Sequence, residues 1–437
     1  GVVTMTKGQL SSARCGSLRG RDALRELLFH RGGHFSIVRG EPSGTEGPAV
    51  TNPTFAMMDA YRMRDEWNRL APQILRAPAA RPWHATGGPI DATVGQFDGH
   101  RSVAEALGGI DRVTTATVLT VEGTGRQFNL GQDLRPGLAD QTFAVTAYRR
   151  DYDVAAPRLK VTQTRTPNFV YFQVPQAQTQ VQGVDGEAAY NVGASGRAAR
   201  ATGAVAAERR AERFHHPLVL VRAALTPAAP STLRTVGTER LLDVSTDEGT
   251  ITLVVGADAL PVRIESAGTH PNLGDVTLTT TFADFTNLNG LNLPTRLTTK
   301  VDDFTTGEYT VTNRLDDSAS LDAPAEVTAA AAPGSPAVNV TVEELAPGVW
   351  FLAGQSHHSV VVAFTDRLVM IEAPQSEARS LAAIARAREL RPGTPLTHLV
   401  MSHHHFDHST GVRAAIAEGL TIVTEQGNEA FVNEMAA

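Results

Sequence analysis

Six residues near the end of the chain, 403 to 408, place four potential metal ligands in one pattern. His403, His405, Asp407 and His408 follow the pattern His-x-His-x-Asp-His. Imidazole nitrogen and carboxylate oxygen suit zinc and related first-row ions, and a hydrolytic site must also leave one coordination position open for water. The pattern reads as half of a two-metal site. Two ligands per ion hold it weakly, and the 29 residues after His408 contain no further His, so other ligands must come from elsewhere. The flanking elements must position these groups. Thr397 to Ser402 is short, apolar and β-prone, and Gly411 to Gly419 has helix-forming composition ending in Gly, so the motif lies on a strand-to-helix loop. If residues 403 to 407 stay extended, His403, His405 and Asp407 project to one side, the turn swings His408 round to join them, and His404 and Phe406 point away. Ser409 and Thr410 are expected N-caps of the following helix. Gly411 lets the backbone pass close to the site, so Ser409 and Gly411 hold the ligands in place.

Composition narrows the function classes. The chain has 437 residues, 42% hydrophobic content, a formal charge of -7 and one cysteine, Cys15. The length allows two or three domains, and the acidic balance argues against a nucleic-acid partner. A lone cysteine excludes an internal disulfide and leaves no thiolate near the motif, so cysteine-nucleophile and zinc-finger readings have no support. No apolar run approaches the ~18 residues needed to span a bilayer. The expected partner is a small-molecule substrate, and the oligomeric state is open.

The motif and its flanks make residues 339 to 437 resemble the first half of a metallo-beta-lactamase fold hydrolase, an αββα sandwich with its metals at one edge of two sheets. Glu344 to Leu352 looks like the opening hairpin, Ser359 to Phe364 and Arg367 to Glu372 the next strands, and Ser376 to Arg391 the first helix. The resemblance implies that His403 and His405 serve one ion and Asp407 and His408 a second. It implies two zinc ions, with iron or manganese as alternatives, and a metal-bound hydroxide attacking an ester, lactone, thioester or lactam type bond. Asp407 would be catalytic, orienting the nucleophile and passing its proton to the leaving group. Further ligands normally follow downstream, so the chain is expected to be cut off inside its catalytic domain. The same likeness puts His357 and His358 at the substrate rim, and Glu372 behind the metal loop as a hydrogen-bond acceptor. His398 is read as a strand residue. His215-His216, before Pro217, is read as a surface or capping pair at the end of a helix.

Residues 1 to 95 are rich in Arg, Gly and Pro and are expected to be poorly ordered or non-native, apart from a helix near Phe55 to Leu75. Residues 96 to 315 alternate apolar and polar types in Thr- and Val-rich runs. These begin at Val113 to Phe128 and continue with Leu159 to Thr164, Phe169 to Val174, Arg240 to Ser245, Thr250 to Val255, Val262 to Ser266, Val276 to Phe285, Thr295 to Val301 and Tyr309 to Arg314. One helical insertion, Ala204 to Leu225, interrupts them. The fold class expected is α+β: a curved antiparallel β half-barrel with helices, then half of the sandwich. The fragments Ala106 to Gly109, Asp258 to Val262 and Gly290 to Pro294 make this region resemble the lipoprotein-carrier (LolA-like) fold, which implies a periplasmic or secreted setting, a cytoplasmic one being the alternative. Residues 316 to 338, rich in Ala, Pro and Ser, read as a linker with a short helix at Ala329 to Ala332. An alternative function follows: a non-catalytic module that binds an apolar ligand or lipid through residues 96 to 315. A redox, flavodiiron-like enzyme is a third reading.

Overall fold

The computed structural model describes residues 2–6, 9–15, 18–19 and most of 99–436. Residues 135, 171–174, 194, 202, 227–228, 330–337 and 355–356 lie outside the described residues. So do the helix expected at Phe55 to Leu75 and most of the segment 1 to 95. Gly1–Ile90 and Asp91–Ala437 form two compact units. In the first, strands β1 (Val2–Thr6), β2 (Gln9–Cys15) and β3 (Leu18–Arg19) pair antiparallel.

The second unit is built on a 13-stranded antiparallel sheet. Two helices, α1 (Gly99–Ala106) and α2 (Ile110–Thr115), precede β4 (Val118–Phe128), β5 (Thr142–Asp153), β6 (Arg158–Pro167), β7 (Gln178–Asp185), β8 (Ala188–Val192) and β9 (Ala198–Arg200). Helices α3 (Gly203–Glu212) and α4 (Pro217–Ala224) come next. Then follow β10 (Ser231–Val236), β11 (Glu239–Thr246), β12 (Gly249–Val255), β13 (Pro261–His270), β14 (Gly274–Leu288), β15 (Leu291–Val301) and β16 (Phe304–Leu315). The order runs from β10 to β16, then β4 to β9, so the first and last strands pair in the middle and two edges stay free. It is an open sheet. Its core joins Val103 of α1, Leu107 just after it, and Leu218, Leu220 and Val221 of α4 to strand residues such as Leu119, Tyr152, Leu159, Leu253 and Ile264.

Several elements differ from the sequence reading. Residues 113 to 115 end helix α2, and the strand starts only at Val118. Phe169 and Val170 are not in a strand. β5 escaped notice because a bulge between Val145 and Ala147 switches its buried face from Phe143 and Val145 to Tyr148 and Tyr152, which breaks the period-two pattern. Two of the quoted fragments meet in space. Asn292 N–H donates to Leu107 O at 2.8 Å and its side-chain amide to Ala106 O at 2.8 Å. At Gly108 (φ 125°) any Cβ would overlap the Gly290 carbonyl, so only glycine allows that approach. The linker region is partly packed: α5 (Ala325–Thr328) lies upstream of the expected helix and buries Val327 against Tyr190 and Ala198.

The inserted helix is two helices. Pro217 opens α4, and His216 caps it by accepting the Leu218 N–H at Nδ1, 3.2 Å. His215 and His216 are therefore not a surface pair: they are 6% and 1% exposed. His215 bridges Thr280 and Ser266 at 2.9 Å each. Burial holds the imidazole of His215 down to about 4 and that of His216 to about 3, so both are neutral.

The C-terminal region forms one mixed sheet. β17 (Thr341–Ala346), β18 (Val349–Ala353), β19 (Ser359–Ala363) and β20 (Leu368–Ile371) pair antiparallel, and β21 (Leu396–Val400) and β22 (Thr421–Val423) add on parallel to β20. Parallel pairs need crossovers. Helix α6 (Glu377–Glu389), capped by Ser376, supplies the first, and α7 (Phe406–Ser409) with α8 (Val412–Ala417) the second. Leu368 and Met370 face these helices with Leu399, Ile384 and Val412. Helix α9 (Glu429–Ala436) closes the chain.

One pH dependence follows from the two buried histidines. Below their unfolded pKa near 6.5 the unfolded chain takes up protons that the folded chain refuses until about pH 4 and 3. Stability should therefore fall as pH drops from 6.5 toward 4, by about 1.4 kcal/mol per pH unit for each group. Urea midpoints of wild type and His215→Gln at pH 7 and 4.5 check this, with a shallower loss expected in the variant.

Candidate metal centre

The motif loop starts where β21 ends, and one carboxylate holds both of its ends. Glu372, just past β20, accepts the Ser402 N–H at Oε1 and the His408 Nδ1–H at Oε2, each at 2.9 Å. Because a carboxylate only accepts, His408 keeps its proton on Nδ1 and presents Nε2. Glu372 and Gln375 have left-handed backbones, φ 67° and 72°, a conformation that costs a non-glycine residue about 1–3 kcal/mol. The kinked segment lets Gln375 N–H donate to Asp407 O at 3.1 Å, and Ala373 O accept the Gly411 N–H at 2.8 Å.

Three donors converge. His357 Nε2 lies 3.2 Å from Asp407 Oδ2, and His408 Nε2 lies 3.7 Å from the same oxygen. Ligand atoms of the three residues all fall within 4.8 Å of one another. Around a tetrahedral zinc with bonds of about 2.0–2.1 Å, neighbouring ligand atoms stand about 3.3 Å apart. The two separations from Asp407 Oδ2, 3.2 Å and 3.7 Å, are close to that spacing and suit a zinc-sized ion, and His357 is half-exposed. For Asp407, burial opposes ionisation, but the hydrogen bond from Gln132 and the nearby His408 and His357 outweigh it, holding the carboxyl below its usual range. Burial, then the neighbouring rings of His408 and His405, push His403 below the ordinary imidazole value. A carboxylate beside imidazole nitrogens suits a divalent cation.

Not every expected ligand joins this group. His403 packs against His405 and His408 with ring centroids 4.7 Å and 4.2 Å away. Among the described residues, however, neither His403 nor His405 enters a three-donor cluster. Strand alternation does not carry through to residue 407: helix α7 begins at Phe406, so Asp407 and His408 reach the site from a helical turn. His404 does turn away, buried against Asp133. His358 is exposed and leans on Phe351, 4.8 Å between rings, whereas His357, read as a rim residue, joins the donors. His398 lies in β21.

Ser409 and Thr410 are not N-caps; His405 and Gly411 occupy those positions, with no side-chain cap. The Ser409 hydroxyl, fully buried, donates to His404 O at 3.0 Å and accepts from Asn272 Nδ2 at 3.0 Å. Gly411 packs on α6, where any Cβ would overlap Ser380. Gln132, Asp133 and Asn272 gave no sequence signal, because each is an ordinary polar residue in a connection between strands of the large sheet.

A second concavity lies between α3 and the sheet, with a volume of about 420 Å³. Its lining includes Gln127, Gln163, Gln180, Gln182, Arg150 and Glu212. Arg150 and Glu212 form an ion pair. Large apolar side chains of the kind a lipid carrier would turn inward are in the minority here.

No family model matches the chain, and no curated protein matches it. Among solved structures it is similar to a LolA superfamily protein from Nitrosomonas europaea, at 14% identity over 50% of this chain and 94% of that one, with a TM-score of 0.31. A DUF1329 family protein from Desulfovibrio piger matches at 12% identity over 51% and 94%, TM-score 0.28. LprF from Mycobacterium bovis matches at 11% over 52% and 96%, TM-score 0.23. None of these three is a metallo-beta-lactamase fold hydrolase by name. The open antiparallel sheet rests on its own strand register. No helix among the described residues is long and apolar enough to cross a membrane.

Ser409→Ala should destabilise the chain by about 1–3 kcal/mol, since it strands the buried Asn272 amide. A urea denaturation midpoint unchanged from wild type would contradict this.

Proposed function

We propose that the motif loop is a metal-binding part of a hydrolytic site acting on an ester, lactone, thioester or lactam type bond. The observation that carries this reading is the approach of His357 Nε2 and His408 Nε2 to one oxygen of Asp407, with Glu372 fixing the protonation of His408 from behind. A bound divalent ion supplies acidification of a water and polarisation of the bond under attack. The chain's own groups do the rest. Asp407 Oδ1 is held by Gln132 at 2.9 Å, so Oδ2 faces the reaction side and can take a proton from the attacking water and return it to the leaving group. His357, half-exposed, is near enough to touch substrate. Zinc suits the His/Asp donors, and iron or manganese accept the same set. The metallo-beta-lactamase resemblance of residues 339 to 437 supports the reaction class, and the LolA-like pattern of residues 96 to 315 supports a periplasmic or secreted setting.

A second reading concerns the cavity under α3: it binds a small molecule independently of the metal. Its many amide, hydroxyl and charged groups favour a polar ligand over a lipid tail, which would leave each buried polar group unsatisfied at about 1–3 kcal/mol.

Zinc per chain after dialysis, measured with zinc affinity, tests the first reading. Wild type should retain zinc, and His408→Ala and Asp407→Asn should each weaken binding at least about tenfold, the scale expected for losing a donor or its support. Equal zinc binding in wild type and both variants would reject it.

A further inference from the structure

The loop between β4 and β5 reaches the motif loop from 275 residues away in sequence, and its polar atoms meet the motif's own donors. Gln132 Nε2 donates to Asp407 Oδ1 at 2.9 Å. Asp133 O accepts from His405 Nε2 at 2.9 Å, and Asp133 Oδ1 from His404 Nε2 at 2.8 Å. Phe406 N–H donates to Gly131 O at 3.2 Å, and the Phe406 ring fills the space where any side chain on Gly131 (φ 74°) would stand. From the other side, the turn between β13 and β14 holds Ser409 and Thr410 through Asn272. Arg413 adds a bond to Leu273 O at 2.8 Å.

We infer that Gln132 and Asp133 are positioning residues of the metal site, so that the large sheet domain sets how the motif loop binds its ion. The inference rests on the metal-site reading above and adds the sheet's contribution to it. Acceptors and donors decide the geometry. A carboxylate can only accept, so the Gln132 amide must turn its NH2 to Asp407; that occupies Oδ1, fixes the carboxylate plane and leaves Oδ2 for His357, His408 and the ion. A backbone carbonyl can only accept, so His405 must carry its proton on Nε2, which leaves the lone pair on Nδ1. Asp133, 7% exposed, meets the buried His404 between the two outer histidines and so fixes the middle of the loop. An interface serving only to join two sheets would not need its polar atoms on these particular partners. Outer hydrogen bonds of this kind orient metal ligands, and losing one typically weakens metal binding by about 10–100-fold.

The test uses the full chain as wild type, Gln132→Leu and Leu134→Ser. Leu134 is a control in the same loop, 75% exposed. Zinc affinity is measured by chelator competition, the visible spectrum with cobalt(II) in place of zinc, and the melting temperature of the metal-free protein. Nitrogen NMR of wild-type histidines reports the His405 tautomer. The expected result is about 10–100-fold weaker zinc binding and a shifted cobalt spectrum in Gln132→Leu, with melting like the control, and an Nε2–H tautomer for His405. Wild-type affinity and spectrum in Gln132→Leu would overturn the inference, as would a proton on His405 Nδ1. Should Gln132→Leu fail to fold, Gln132→Glu, which keeps the side-chain length but cannot donate to Asp407 when ionised, takes its place under the same readouts and the same two outcomes. A wild type that binds neither zinc nor cobalt would overturn the metal-site reading and this inference together, whereas intact wild-type binding with an unaffected variant removes only the inference.

Discussion

A single carboxylate, Glu372, closes the motif loop by binding the Ser402 amide at one end and the His408 ring at the other. The six residues 403 to 408 are otherwise a short irregular stretch and one helical turn. Without that bridge nothing local would oblige His408 to face Asp407. The bridge depends in turn on strand register, since Ile371 pairs with Val400 in the parallel ladder and the residues after each pair emerge side by side. A one-residue slip would point Glu372 to the opposite face. Its left-handed backbone is the local cost of aiming the carboxylate along the strand end.

Legibility followed the periodicity of the chain. The strands before the motif, the helices at 376 to 391 and 411 to 419 and the Gly419 helix end were readable because apolar residues recur at helical or strand spacing and the turns carry their own chemistry; the parallel pairing and the short strand Thr421–Val423 were not. That Asp407 and His408 would come together was readable from residue type and spacing alone. What failed was orientation. The motif was expected to stay extended, yet the chain turns helical at Phe406. His357 therefore meets Asp407, while His405 is drawn toward Asp133. The partners that complete the arrangement, Gln132, Asp133 and Asn272, lie on turns of another sheet, and no local pattern marks a turn residue whose purpose is long-range.

The large sheet was legible where its strands bury one apolar face and hidden where they do not. Gln178–Asp185 went unrecognised because Gln180 and Gln182 face the polar cavity rather than a hydrophobic core, so alternation disappears there. His215 and His216 misled for a related reason. A histidine pair before proline looks like an exposed helix end, but hydroxyls from β13 and β14 accept His215 into the interior, and burial then removes the charge that a surface role would require. For His215 the explanation is a pair of partners distant in sequence.

The central claim, that His357, Asp407 and His408 share one cation, is tested most directly by anomalous X-ray scattering at the zinc edge from crystals of the full chain grown with zinc. The account predicts a single-atom peak about 2.0–2.2 Å from His357 Nε2, His408 Nε2 and one Asp407 oxygen. Rings turned apart, with no peak between them at full zinc exposure, would contradict it.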